Sequence, residues 1–284
     1  MASKETATTK RPSRLVLPSP VEPLAVAWRH RALISRLARR EVEGRYRGSL
    51  LGLTWSVATP LLMLAVYTFV FSVVFKARWG TGSERRGEFA LVLFSGLLTF
   101  GLFSECVNRA PGTILESVSY VKKVVFPLEI LAWVGLLGAL FNTAIGVLIL
   151  LAGHLALGVL PPLSTLLLPV LLVPLCLLVL GTTWFLSSVG VFLRDIRQIV
   201  PILTTVLLFV SPIFYPASAV PEPYRSFLSL NPLAPTVESV RAALFFGQAP
   251  DWASWASSLG VSAVVCWLGF TWFANTRRAF ADVL

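Results

Sequence analysis

The sequence predicts an all-α membrane protein of six transmembrane helices. An N-terminal amphipathic interface helix precedes them, a cytoplasmic helix joins the second to the third, and re-entrant outer helices precede the last. Three observations carry that prediction. Of 284 residues, 56% are hydrophobic and 13% charged, an imbalance outside the range of soluble globular domains. The apolar residues form continuous runs such as Leu61-Leu62-Met63-Leu64-Ala65-Val66, where a membrane barrel would alternate apolar and polar positions. The six runs reach or approach the about 20 residues a helix needs to cross the hydrocarbon.

The chain opens with a Pro-containing cytoplasmic tail, residues 1–27, with four prolines and no long apolar run, which predicts no cleaved secretory signal. Residues 28–47 form the amphipathic helix. Leu33, Ile34, Leu37 and Ala38 share a stripe, and Arg31, Arg36, Arg39 and Arg40 occupy the rest of the circumference. Such a helix lies in the headgroup plane, either as an anchor on anionic lipid or as a docking surface. The transmembrane domain follows over 48–277, with spans at about 55–75, 89–106, 127–153, 163–193, 199–215 and 252–274, and a cytoplasmic C-terminus at 278–284. The fourth run would be about 46 Å long as an unbroken helix, against about 30 Å of hydrocarbon. It must tilt, kink or protrude, and Pro169 and Pro174 offer the kink sites.

Two segments between spans need their own account. Thr113 and Glu116 make a T-x-x-E capping box after Pro111-Gly112, predicting a short helix over about 113–124. It either transmits force from a soluble partner or rests on the membrane surface. Residues 221–250 contain Pro221, Pro223, Pro232, Pro235 and Pro250, and are too apolar for a solvated loop yet too broken to span. Thr236 caps and Gly247 terminates a helix carrying Val237, Val240, Leu244 and Phe245. A hairpin re-entering the outer leaflet fits, with a loop folded over the outer helix ends as the alternative.

The net charge of +10 reflects loop bias rather than nucleic-acid binding. With the N-terminus inside, 18 of the 24 Lys and Arg residues fall in inner segments, so both termini are expected in the cytoplasm. The outer loop with Lys76, Arg78, Arg85 and Arg86 breaks the pattern, offset in part by Glu84 and Glu88.

Little in the chain suits catalysis. Cys106, Cys176 and Cys266 lie in or beside apolar runs without a CxxC pair and read as packing residues. His30 and His154 are far apart, and neither a phosphate-binding G-x-x-x-x-G-K-[ST] nor a G-x-G-x-x-G occurs. No metal, cofactor or nucleotide is therefore expected in this chain. No Asp, Glu, Lys or Arg lies near the middle of a span; Glu105 and Glu129 sit close to inner ends, and Glu105 reaches Arg109 at i,i+4. Ion-coupled transporters keep charges in the bundle interior, so an active transporter here must draw on a separate ATPase. A passive pore also fits the missing charges but leaves the two cytoplasmic helices without a task. A membrane glycosyltransferase needs clustered acids, and Glu105, Glu129 and Asp195 are isolated.

Arg45-Tyr46-Arg47-Gly48-Ser49-Leu50-Leu51-Gly52-Leu53-Thr54-Trp55, followed by Pro60, resembles the R-Y-R-x-S-x-L-G-x-x-W-x-x-x-x-P signature of the membrane subunits of type-2 ABC exporters of polysaccharides. The continuation from Val66 to Gly80 is similar to the O-antigen branch. Gly190 to Ile196, Pro212 to Pro216 and Asn231-Pro232 extend the resemblance from about residue 30 to the C-terminus; the tail stands outside it.

That resemblance implies a homodimer in the bacterial inner membrane. Two copies of a separate ABC ATPase, holding ATP and Mg, would sit beneath it, and a lipid-linked polysaccharide would leave the cytoplasmic side. Teichoic acid, capsule polysaccharide or a small hydrophobic molecule would suit the same scaffold. The implied ATPase-coupling positions are Arg36, Arg39 and Arg40, then Thr113, Glu116, Tyr120 and Lys122, then Arg194 and Asp195. Arg45 and Arg47 are candidate contacts for glycolipid phosphate, unless they serve bulk anionic lipid. Tyr67, Phe71 and Phe75 repeat at i,i+4,i+8, and with Phe100, Phe103, Trp184 and Phe185 they are candidate conduit aromatics, unless they pack between helices or face lipid. Pro212, Tyr215, Tyr224, Asn231 and Phe245 are the candidate outer gate.

Overall fold

A computed structural model describes residues 17–45, 47–49, 51–76, 88–117, 126–224, 228 and 231–283. Among them no strand occurs. In chain order the helices are α1 (Glu22–Arg29), α2 (Arg31–Arg45), α3 (Trp55–Tyr67), α4 (Glu88–Glu116), α5 (Ile130–Ala156), α6 (Leu168–Leu171), α7 (Val173–Phe192), α8 (Ile196–Val210), α9 (Ala234–Phe245), α10 (Trp252–Thr276) and α11 (Phe280–Val283). Five helical stretches among the described residues are long and apolar enough to cross a membrane: Gly52–Val74, Glu88–Glu116, Ile130–Ala156, Leu163–Phe192 and Trp252–Ala279. Where the sequence places a span over 199–215, α8 has 15 residues, about 22 Å at 1.5 Å per residue, and ends at Ser211 in extended backbone.

Local chemistry explains most of the boundaries. Pro60 lies inside α3, which passes into a π-helix over Thr68–Val74, closed by the Phe75 N–H on Val70 O at 2.9 Å. The Phe71 and Phe75 rings remain neighbours, 5.8 Å apart and edge to face. The long fourth run breaks as the prolines require: a 3-10 turn over Leu163–Leu167, then α6 with Pro169 and α7 with Pro174 in their first turns.

Four local expectations are corrected. The capping box does not form, because α4 continues through Pro111 to Glu116 and Thr113 Oγ1–H donates back to Arg109 O at 3.2 Å. Pro111 is held in the helix by tertiary packing: the backbone of α7 passes against it at Gly190, where a Cβ would run into Pro111 backbone atoms. The rest of the expected coupling helix, 118–124, lies outside the described residues, as do 1–16 of the tail and 77–87 of the outer loop. The apolar stripe of α2 does not face lipid either. Ile34 and Ala38 are buried, with Leu33 and Leu37 packed against the same core, because α2 lies along α5. Residues 22–27, expected as tail, are helical and belong to α1, which packs on α10 and α5; Trp267 Nε1–H donates to Pro18 O at 2.9 Å. Finally, α9 starts at Ala234 with Pro235 in its first turn rather than at a Thr236 cap. Gly247, at φ +58°, does end it.

The tightest packing is between α7 and α10. Gly181 and Gly269 let the two backbones touch, as lipid-embedded helices require when no hydrophobic drive separates them from acyl chains. Trp184 follows on the same helix, edge to face with Phe270 at 5.0 Å, its indole N–H donating to Glu129 O at 2.9 Å. Trp184→Phe keeps an aromatic ring but deletes that bond and the buried pyrrole half of the indole, so it is expected to lower stability by about 2–3 kcal/mol, read as a drop in Tm in detergent.

Candidate functional site

At the end of the bundle where α2 lies, which the sequence assigns to the inner side, four charged side chains and one amide from three helices form a ladder. Glu41 and Arg45 come from α2, Glu105 and Arg109 from α4, and Asn142 from α5. Arg45 donates to Glu105 and, at 3.2 Å, to Glu41. Arg109 donates to Glu41, and Asn142 Nδ2 donates to Glu105 Oε2 at 3.1 Å. The expected Glu105–Arg109 pair along α4 is therefore exchanged for pairs between helices, because the end of α2 reaches in beside Gly138, where a Cβ would lie 3.3 Å from Arg45 Nη2. Two guanidinium groups against two carboxylates make the cluster neutral, which lets it be half-buried without an uncompensated charge. Burial works against the charge on Arg45, but Glu105 and Glu41 outweigh it and hold its pKa above the ordinary value. Glu105 is 11 residues from the end of α4, about 17 Å along the axis, close to the inner edge the sequence assigns to the second span.

Below the ladder the implied coupling positions divide into two groups. Arg36, Arg39 and Arg40 are exposed on one face of α2, with Arg39 paired to Glu43 at 2.8 Å. Glu116, at the end of α4, lies 3.6 Å from Arg197, whose Nη2 also donates to Gly112 O at 3.3 Å. This brings Thr113 and Glu116 beside the exposed α7–α8 turn that carries Arg194 and Asp195. Tyr120 and Lys122 lie outside the described residues. Arg47 is exposed after α2, whereas the guanidinium of Arg45 is engaged by the two carboxylates of the ladder.

Above the ladder, a cavity of about 420 Å³ opens between α3, α4 and α5. Trp55, Tyr67 and Phe100 supply aromatic faces to it, and Ser104, Glu105, Asn142 and Thr143 supply polar atoms. The other candidate conduit aromatics lie elsewhere. Phe71 packs on Phe89 at 5.5 Å, Phe75 is exposed, Phe103 is buried in the core beside Phe100 at 6.4 Å, and Phe185 leans on Trp272 at 5.7 Å. Trp184 is buried core.

The outer candidates cluster where α8 breaks. Tyr215 Oη–H donates to Phe209 O at 3.1 Å and Val210 O at 3.2 Å, satisfying carbonyls a helix end leaves open. Asn231 Nδ2 donates to Ser211 Oγ at 2.8 Å, and Asn231 Oδ1 accepts from the Leu233 N–H at 3.0 Å. Phe245 packs on His154 at 4.7 Å, and Tyr224 is exposed. The residue holding this region was missed from the sequence: Arg241, 1% exposed, donates to the carbonyls of both Pro212 and Ile213. Its one available signal was the i,i+3 spacing of Glu238 and Arg241 in a helix expected at membrane depth. Among the described residues no group of three or more His, Cys, Asp or Glu is placed to hold a metal.

Residues 32–245 match the family described as the ABC-2 type transporter. The chain is 30% identical over 257 residues to the O-antigen export system permease protein RfbA of Myxococcus xanthus, covering 90% of this chain and 96% of that protein. It is 23% identical to the protein of the same name from Klebsiella pneumoniae, covering 89% and 95%. It is 25% identical to the polysialic acid transport protein KpsM of Escherichia coli, covering 87% and 94%.

Proposed function

The chain belongs to the ABC-2 type transporter family, and from that premise we propose that it is the permease subunit of an ATP-driven exporter moving a lipid-linked polysaccharide, an O-antigen, out of the cytoplasm. ATP would be bound and hydrolysed by a separate ABC ATPase, two copies of which dock beneath a permease homodimer in the inner membrane, with both termini of this chain in the cytoplasm. The cavity carries the reading for the cargo: aromatic faces beside hydroxyl and amide groups, with the Glu105 carboxylate at one edge, suit a polyol. Supporting the dimer, α8 leaves Ile202, Leu203, Val206 and Phe209 exposed on one chain, and α3 leaves Leu61, Leu62 and Val66 exposed. The α8 segment and the hairpin after it act as the sixth passage and the outer gate. Exposed Arg47 is the readier contact for glycolipid phosphate, since Arg45 must first give up a carboxylate.

Deleting the gene is expected to leave lipid-linked polysaccharide accumulating on the inner side of the membrane. Complementation with the permease alone, in a strain lacking the ATPase, should not restore export. Export under those conditions would overturn the reading. Reversing Arg36, Arg39 and Arg40 together to Glu is expected to reduce co-purification of the ATPase by about tenfold, the scale of one to two surface charge pairs. Undiminished co-purification would remove α2 from the docking surface.

A further inference from the structure

We infer that Glu105 reports occupancy of the cavity to α2: the hydroxyls of a glycosyl unit in the cavity take the carboxylate from Arg45, and the hold of α4 on α2 weakens. This rests on the permease reading and adds to it a residue that senses cargo. Glu105 lines both the cavity of about 420 Å³ and a smaller pocket of about 110 Å³ on its inner side, whose wall also includes Glu41 and Arg109. Its carboxylate is thus the partition between the two spaces, and its side chain is 26% exposed.

The cavity wall is rich in acceptors. Ser56, Ser104 and Thr143 give their hydroxyl protons to carbonyls three or four positions earlier, Leu53 O at 2.7 Å, Gly101 O at 3.3 Å and Ala139 O at 2.9 Å, so toward a ligand their oxygens act as acceptors. Glu105 adds only acceptors. An anionic headgroup is disfavoured beside that carboxylate, whereas a neutral sugar brings hydroxyl donors and apolar ring faces for Trp55, Tyr67 and Phe100. The exchange is feasible because Arg45 retains Glu41 at 3.2 Å and is never left as a lone buried charge. What changes is one of the two ionic links between α2 and α4: Glu41 belongs to α2 itself while Glu105 belongs to α4, and the Arg109–Glu41 pair alone still joins the two helices. The same α2 presents Arg36, Arg39 and Arg40 to the inner side.

The test is ATP hydrolysis by the permease–ATPase complex in proteoliposomes, with and without lipid-linked polysaccharide isolated from the host membrane. The wild-type complex is expected to hydrolyse faster with the glycan. In Glu105→Gln and in Arg45→Gln the ratio should fall to about one, while Glu22→Gln, outside the ladder, keeps the wild-type ratio. Glu105→Asp retains the charge that assembly needs but shortens the reach, and should lower the ratio even if the Gln variant does not assemble. Wild-type ratios in the Glu105 and Arg45 variants would overturn the relay and leave the permease reading standing. A wild-type complex that neither exports nor responds to the glycan would overturn both.

Discussion

Arg241→Ala is expected to release the segment after α8 and lower the stability of the permease by about 3 kcal/mol or more, the scale seen when a buried charged group is removed from its partners. The guanidinium occupies a slot between α4, α9 and the break after α8. It donates to Pro212 O and, at 2.6 Å, to Ile213 O, and lies 3.5 Å from Glu238. Truncation leaves those carbonyls without their charged donor and opens a cavity the length of the side chain. The slot exists because position 96 is glycine: a Cβ there would stand 2.5 Å from Arg241 Nη2. Gly96→Ala should therefore destabilise in the same direction but less, since the far end of a long side chain can shift. Thermal unfolding in detergent, with limited proteolysis of the segment after α8, measures both. An Arg241→Ala protein with wild-type Tm and an uncut hairpin would show that Asn231 and Ser211 hold the segment alone.

Gly269→Leu is expected to abolish the folded monodisperse protein, and Gly181→Leu likewise. At this crossing a Cβ on Gly269 would run into the carbonyl of Gly181, and one on Gly181 into the backbone of Val265 and Cys266. The obstructing atoms are main chain and cannot rotate away, so the helices must separate, at a cost above the usual about 1–3 kcal/mol of overpacking. Separation would also strain the Ser188–Thr276 hydroxyl contact at 2.6 Å and the Trp184–Phe270 ring contact. Gly146 provides the contrast. There the obstruction is the side chain of Leu98, which has other rotamers, so Gly146→Ala should cost at most about 1 kcal/mol. Size-exclusion profiles and Tm separate the two classes; a well-folded Gly269→Leu would mean the α7–α10 contact is not essential.

Several parts of the architecture were legible because they follow from free energies local in sequence. The Leu163–Phe192 stretch had to break at Pro169 and Pro174, since each proline lacks a donor. Gly247 ended α9 because only glycine takes φ +58° without strain. The candidate site was legible in part. Tyr67 and Phe100 do meet in one cavity, but Phe103, the same residue type as Phe100, is core, as is Trp184. Nothing in an apolar run distinguishes a ring that faces a cavity from one that faces a neighbouring helix. Pro111-Gly112 misled for a related reason: the local cost of a proline inside α4 is offset by contacts with α7 at Gly190, more than 70 positions away.

By itself the sequence determined that this chain is a membrane protein of long apolar helices without a nucleotide-binding loop, because transfer of apolar side chains into hydrocarbon is additive along a run. It also determined the resemblance to polysaccharide exporters, carried by short contiguous motifs. Only the tertiary structure decided which charges meet. Glu105 turns from Arg109, four residues away on its own helix, to Arg45, sixty positions earlier, and Arg241 finds two carbonyls at the broken end of α8. Pair energies of this kind depend on distance and on the exclusion of water, and both arise only once separate helices have packed.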